Sequence, residues 1–114
     1  MNLQIFGTKR CSNTRKAEMF FKERRIPYQL INLTEKPMSK GELTSVLQSV
    51  SSDDLIDRES RAYKSQGLEY MKFDIAKKLL EDPSLFKTPI VRDGKKATAG
   101  YQPEIWKSWI ANTG

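Results

Sequence analysis

Cys11 is the sole cysteine of a 114-residue chain that contains no histidine, so any thiol chemistry rests on one sulfur. It lies in the run Phe6-Gly7-Thr8-Lys9-Arg10-Cys11-Ser12-Asn13-Thr14-Arg15-Lys16, between an apolar strand pattern and an amphipathic helix pattern. A thiol at a helix N-terminus among the cations Lys9, Arg10, Arg15 and Lys16 is favoured as thiolate by the helix dipole and the nearby positive charge. Thiolate is the nucleophilic form, which makes Cys11 a candidate catalytic nucleophile. The competing reading is an inert cysteine packed as a small apolar side chain. Polar and charged neighbours on both sides make a dry pocket hard to build there.

A loop that opens a helix also presents unpaired backbone N–H groups, which suit an oxyanion. Ser12, Asn13 and Thr14 are therefore candidate binding residues. Arg15 falls about one turn after Cys11. Its guanidinium either helps bind an oxyanion and lowers the thiol pKa, or it is a solvated cation on the helix face.

Length bounds the rest: 114 residues suffice for one compact domain and not for two. A single cysteine excludes an internal disulfide framework, and the lack of histidine removes the usual zinc constellations. Neither a bound cofactor nor a metal is expected. No apolar run is long enough to span a bilayer and no secretory segment opens the chain, so a soluble, cytoplasmic protein is expected. The net charge of +6 points to an anionic partner, but Lys and Arg are interspersed with Asp and Glu, and no aromatic-basic signature accompanies them. Oxyanions, glutathione carboxylates or an acidic protein fit this pattern better than nucleic acid does.

Three blocks must position the sulfur. Residues 2–6 alternate polar and apolar and end at Gly7, a strand and turn pattern; Ser12 or Asn13 then caps a helix carrying Ala17, Phe20 and Phe21. Pro27 ends that helix and residues 28–33 read as a second strand, giving a right-handed βαβ unit. In the middle, Ser39 and Glu42 form a capping box before Leu43, Val46, Leu47 and Val50. A short helical piece is expected over 54–64 and a further helix over 73–80. Finally, Thr88-Pro89-Ile90-Val91-Arg92 and Lys95-Lys96-Ala97-Thr98-Ala99 flank Asp93-Gly94, a strong hairpin signal. After Gly100 and a turn through Pro103, Ile105, Trp106, Trp109 and Ile110 mark a last helix that docks on the sheet. Trp106, Trp109, Phe20 and Phe21 are assigned to the core. The sum is α/β: a four-stranded mixed sheet with a helical insertion between a βαβ and a ββα unit, resembling the thioredoxin-like fold. The core is expected over 1–34 and 85–114 and the insertion over 38–83, within one domain.

The chain resembles the ArsC/Spx family, which joins glutaredoxin-dependent arsenate reductases to Spx-type regulators of RNA polymerase. The resemblance rests on Cys11 with Arg15, on Asn32-Leu33-Thr34-Glu35-Lys36-Pro37 before a capped helix, on Leu55-Ile56, and on Tyr63 to Gly67-Leu68. Thr88-Pro89-Ile90-Val91-Arg92-Asp93-Gly94, followed by Gly100-Tyr101, completes it. It implies that Cys11 is the nucleophile, that Thr88 and a cis Pro89 face it, and that glutathione or another external thiol is co-substrate, with glutaredoxin as reductant. Without the resemblance, Pro89 reads simply as the start of an edge strand.

Where the reductases of the family carry three oxyanion-binding arginines, this chain has Asp57, Thr88 and Tyr101, and Gly7 replaces a histidine. Each lost charge-assisted hydrogen bond is worth about 1.5–3 kcal/mol, which argues against efficient arsenate reduction unless Arg58, Arg61 or Arg92 compensates. Thr14 stands where Spx-type regulators commonly carry a second cysteine, so no disulfide switch forms within the chain. The leading expectation is a thiol oxidoreductase, arsenate reductase-like, in which Cys11 forms a mixed disulfide with glutathione or a similar thiol, and Arg15, Arg58 and Arg92 bind substrate. The alternative is a non-enzymatic, Spx-like regulator that binds the RNA polymerase α subunit.

Overall fold

The computed structural model describes residues 2–112; residues 1, 113 and 114, at the ends of the expected domain, lie outside them. Four strands form one sheet: β1 (Leu3–Gly7), β2 (Tyr28–Asn32), β3 (Ile90–Asp93) and β4 (Lys96–Ala99), in the order β2-β1-β3-β4. β1 runs parallel to β2 and antiparallel to β3, and β3 pairs antiparallel with β4.

The alternation that marks β1 as a strand also divides the core in two. Leu3, Ile5 and Val91 point to one face, where they pack with Ala17, Phe20 and Phe21 of α1 (Ser12–Glu23) and Trp106 and Trp109 of α6 (Pro103–Ala111). Phe6, Ile31 and Ile90 point to the other face, covered by the insertion: α2 (Lys40–Leu47), α3 (Ser52–Leu55), α4 (Arg61–Ser65) and α5 (Ile75–Glu81). Trp106 anchors the first face, its ring centroid 5.3 Å from both Phe20 and Phe21 and 5.6 Å from Tyr101. Its indole N–H donates to Thr98 Oγ1 at 2.8 Å, which satisfies both buried groups.

Several boundaries differ from expectation, each for a local reason. Neither Ser12 nor Asn13 caps α1: Cys11 itself is the N-cap residue, in extended conformation and without a side-chain cap bond. The same helix stops ahead of Pro27, because Arg25 turns left-handed at φ 56°. The Arg25 N–H then bonds the Lys22 carbonyl at 3.0 Å and the Ile26 N–H bonds that of Phe21 at 2.9 Å, a Schellman closure without glycine. The stretch 54–64 is two short helices separated by an extended Ile56, which bridges to Phe86. α5 starts at Ile75, two residues later than expected, because Asp74 caps it. Pro103 opens α6 as its first residue, where its missing N–H costs nothing. The Ser39–Glu42 capping box is formed as expected.

The hairpin also forms, with Asp93 opposite Lys96. Its two-residue loop is Gly94-Lys95, in which Gly94 at φ 60° takes the left-handed conformation that a side chain would strain. Among the described residues, no helix is long and apolar enough to cross a membrane.

Candidate active site around Cys11

β1 delivers the chain to the C-terminal edge of the sheet, and the loop from Thr8 to Cys11 turns it back into α1. The Cys11 N–H closes this loop on the Thr8 carbonyl at 3.2 Å, and the Cys11 carbonyl accepts from Arg15 N–H at 3.3 Å to start the helix. The sulfur is thereby fixed at the helix N-terminus, half-buried. From the other side, Thr88 arrives just ahead of β3, followed by a cis peptide bond to Pro89. The thiol donates to the Thr88 carbonyl oxygen at 3.5 Å.

Burial pushes the Cys11 thiol up, but the polar groups around it, the Thr14 and Thr88 side chains and the backbone at Thr14 and Asn13, favour the anion and outweigh burial. Cys11 thus ionises below the ordinary cysteine value; the backbone at the helix start contributes as expected, whereas the neighbouring cations Lys9, Arg10, Arg15 and Lys16 are not among the causes.

The sulfur opens into a cleft of about 560 Å3, lined by Thr8, Arg10, Asp57, Ser60, Arg61 and Thr88 among others. One wall is the loop from Thr8 to Cys11 together with Thr88; the other is formed by Asp57 to Ala62 and by Pro83 to Phe86. The charged side chains in this lining are Arg10, Arg61 and Asp57. The cleft therefore offers two cations and one anion beside a nucleophile.

The sequence-predicted residues divide into two groups. Cys11, Asn13, Thr14, Thr88 and Pro89 come together, whereas Ser12 is exposed beside them. Arg15 lines a separate small cavity with Gly7, Thr14 and Glu18, away from the Cys11 cleft. Arg58 is held elsewhere: it pairs with Asp53 at 2.8 Å and donates to the Tyr63 hydroxyl at 3.0 Å. Arg92 lies toward the opposite end of the sheet, because β3 runs antiparallel to β1 and sets it beside Gln4, whose side-chain oxygen it binds at 2.9 Å. Of the three arginines considered as replacements for the missing ones, Arg61 alone lines the cleft. Arg10 joins it; its place immediately before Cys11 was the signal for this, since any residue there borders the same loop.

This geometry defines a class: an α/β protein of thioredoxin-like fold with a single cysteine at the start of its first helix, hydrogen-bonded to the residue that precedes a cis proline. A model of the ArsC family matches residues 6–109, and the chain belongs to that family. It is similar to the global transcriptional regulator Spx 2 of Oceanobacillus iheyensis, with 32% identity over 96% of this chain and 84% of that one. Spx 1 of Bacillus cereus is 25% identical over 96% of this chain and 87% of its own. Among solved structures, the arsenate reductase from Vibrio cholerae superposes with a TM-score of 0.81 at 23% identity, covering 95% of this chain and 97% of that one.

Proposed function

We propose that this protein is a thiol oxidoreductase of the ArsC family in which Cys11 forms a mixed disulfide with glutathione or a similar low-molecular-weight thiol. The observation that carries this reading is the position of the sulfur: half-buried, hydrogen-bonded toward its anion, and open to a cleft bearing Arg10 and Arg61. Such a cleft suits a small thiol compound with carboxylates, which the two guanidinium groups would bind, and an ammonium, which Asp57 would bind. The Cys11 thiolate attacks one sulfur of an external glutathione-class disulfide. A new S–S bond to Cys11 forms, the bond in the small molecule breaks, and its other half leaves as a thiolate. An external thiol, or a dithiol of the glutaredoxin class, then attacks the mixed disulfide, frees the Cys11 thiolate and is itself oxidised. Arsenate as substrate has less support, because only Arg10 and Arg61 line the cleft where the resemblance implies three further arginines.

The test is incubation with glutathione disulfide followed by intact-mass measurement. The native chain gains one glutathionyl group and Cys11→Ser gains none; a native chain that stays unmodified in excess disulfide sinks the proposal. A parallel arsenate-reduction assay with glutathione and glutaredoxin, run on both chains, decides the arsenate reading.

A second reading is a regulator that docks on the RNA polymerase α subunit, favoured by the likeness to proteins named Spx. Met19 on α1 and Tyr101 before α6 are exposed on the same side of the molecule, bordering one groove with Lys16 and Arg24. A pull-down with the isolated C-terminal domain of the polymerase α chain, native protein against Met19→Glu, distinguishes this reading. Binding by the native protein that the variant loses supports it, and no binding by the native protein excludes it.

A further inference from the structure

We propose that this chain forms a two-fold homodimer through the open edge of β2, with Leu30 of each copy facing that of the other and Arg15 of each copy pairing with Glu18 of the second. Arg15, which lines no part of the Cys11 cleft, gains a role in this dimer, and the reactivity of Cys11 has no part in it.

The sheet has two edges, and they differ. On β4, Ala97, Thr98 and Ala99 are buried, and the Ser49 hydroxyl donates to the Lys95 carbonyl at 2.6 Å. β2 is the other edge. Its sequence, Tyr28-Gln29-Leu30-Ile31-Asn32, holds no charged residue and no proline, the usual means of keeping an edge from pairing. Gln29 is exposed, and Leu30, in the middle of the strand, is 43% exposed.

The main chain of this edge suits a copy of itself. The Leu33 N–H bonds the Gly7 carbonyl at 2.9 Å. Because successive residues of a strand alternate in direction, Gln29 and Ile31 likewise turn their N–H and C=O groups toward β1, and Tyr28 and Leu30 turn theirs outward. An antiparallel copy related by a two-fold axis through Leu30 sets Leu30 against Leu30, exchanging both N–H···O bonds, and Tyr28 against Asn32. The Asn32 carbonyl already accepts from the Glu35 and Lys36 N–H groups, and its own N–H is left for the Tyr28 carbonyl of the second copy.

Charge favours a second copy over any other extended chain. Leu30 is in register with Ile5, on the face that α1 covers, and lines one small cavity with Arg15 and Glu18 of that helix. An axis through Leu30 therefore passes close to both charges. The two-fold operation reverses the direction of α1, so Arg15 of one copy meets Glu18 of the other, twice. Within its own copy Arg15 has no ion pair among the described residues, and the Tyr28 hydroxyl fixes Glu18 at the edge by donating to its carboxylate at 2.9 Å. The same operation sends the two Cys11 clefts to opposite ends of the joined sheet, because β1 runs parallel to β2 and Cys11 follows the end of β1.

The experiment is sedimentation velocity over a range of protein concentrations, at about 0.15 M salt, which screens the +6 charge of each copy beyond about 8 Å. A five-residue edge makes a small interface, of the class below about 1,200 Å2 that associates weakly, so the mass should rise with concentration toward twice that of the monomer. Leu30→Lys sets like charges opposite each other and should remove the dimer. Arg15→Glu and Glu18→Arg, each alone, should weaken self-association by about tenfold or more. An equimolar mixture of these two variants should restore association, since each charge then meets its opposite across the axis; circular dichroism confirms that every variant folds. The proposal is overturned by a native chain that stays monomeric throughout, by a dimer that Leu30→Lys leaves intact, or by a mixture that associates no better than either variant alone.

Discussion

The sulfur of Cys11 and the carbonyl oxygen of Thr88, 77 residues apart in the chain, meet at 3.5 Å. This contact ties the loop that leaves β1 to the segment that enters β3. It also makes the thiol's ionisation a property of the folded state, since neither loop alone assembles the donors around it.

Ionisation should therefore be linked to stability. The folded thiol ionises at lower pH than the unfolded one, whose value is about 8.5. Its contribution is complete above the unfolded value and is lost as pH falls through the folded one. Urea denaturation of native protein and Cys11→Ser across pH 5 to 10 should show the difference between the two changing in favour of the native chain as pH rises through that window. A pH-independent difference would show that the thiol is not perturbed by folding.

Arg10 and Arg61 should matter only for charged partners. Replacing both with alanine should slow mixed-disulfide formation with glutathione disulfide by about tenfold, equivalent to about 1.4 kcal/mol. The rate with a neutral aliphatic disulfide should change far less. Equal slowing with both reagents would mean that the arginines act on the thiol and not on the incoming molecule.

Thr98 is the acceptor for the buried Trp106 indole. Thr98→Val keeps its shape and leaves the N–H unsatisfied, at a cost of about 1–3 kcal/mol. Denaturant midpoints at unchanged slope would report this directly. A shift below a few tenths of a kcal/mol would mean that water or a rearranged neighbour replaces the threonine.

Arg25 holds a left-handed conformation that ordinary residues resist by about 1–2 kcal/mol. Arg25→Gly should therefore raise stability by up to about 1 kcal/mol, the greater freedom of glycine in the unfolded chain offsetting part of the gain. Thermal unfolding should show a higher Tm, and a lower one would mean that the exposed arginine side chain makes contacts worth more than the strain.

Much of this fold is readable from local pattern. The Asp93-Gly94 signal, the Ser39–Glu42 capping box and the two-faced alternation of β1 each depend on residues within a few positions of one another, and each forms. The position of Cys11 at the start of α1 is equally local. The destinations of the arginines are not. Arg58 is drawn away by Asp53 and Tyr63, five residues on either side, in a stretch where extended backbone separates two short helices and no helical period applies. Arg61, three residues later, faces the cleft because α4 lies along its wall, which depends on how the insertion folds back. The place of Arg92 follows from topology: β3 begins beside the thiol, runs antiparallel to β1 and carries Arg92 toward the far edge. The close approach of Thr14 to Gly7, where a Cβ would overlap the threonine side chain, was not legible, since that contact runs between a strand and a helix.

The insertion is fastened to the sheet at its most sensitive point. Ile56 bridges to Phe86, the Asp57 N–H bonds the Leu85 carbonyl at 2.8 Å, and the Lys87 N–H bonds the Leu55 carbonyl at 2.7 Å. The next residue is Thr88. The two jaws of the cleft are thus spliced together by main chain, one residue before the thiol's acceptor.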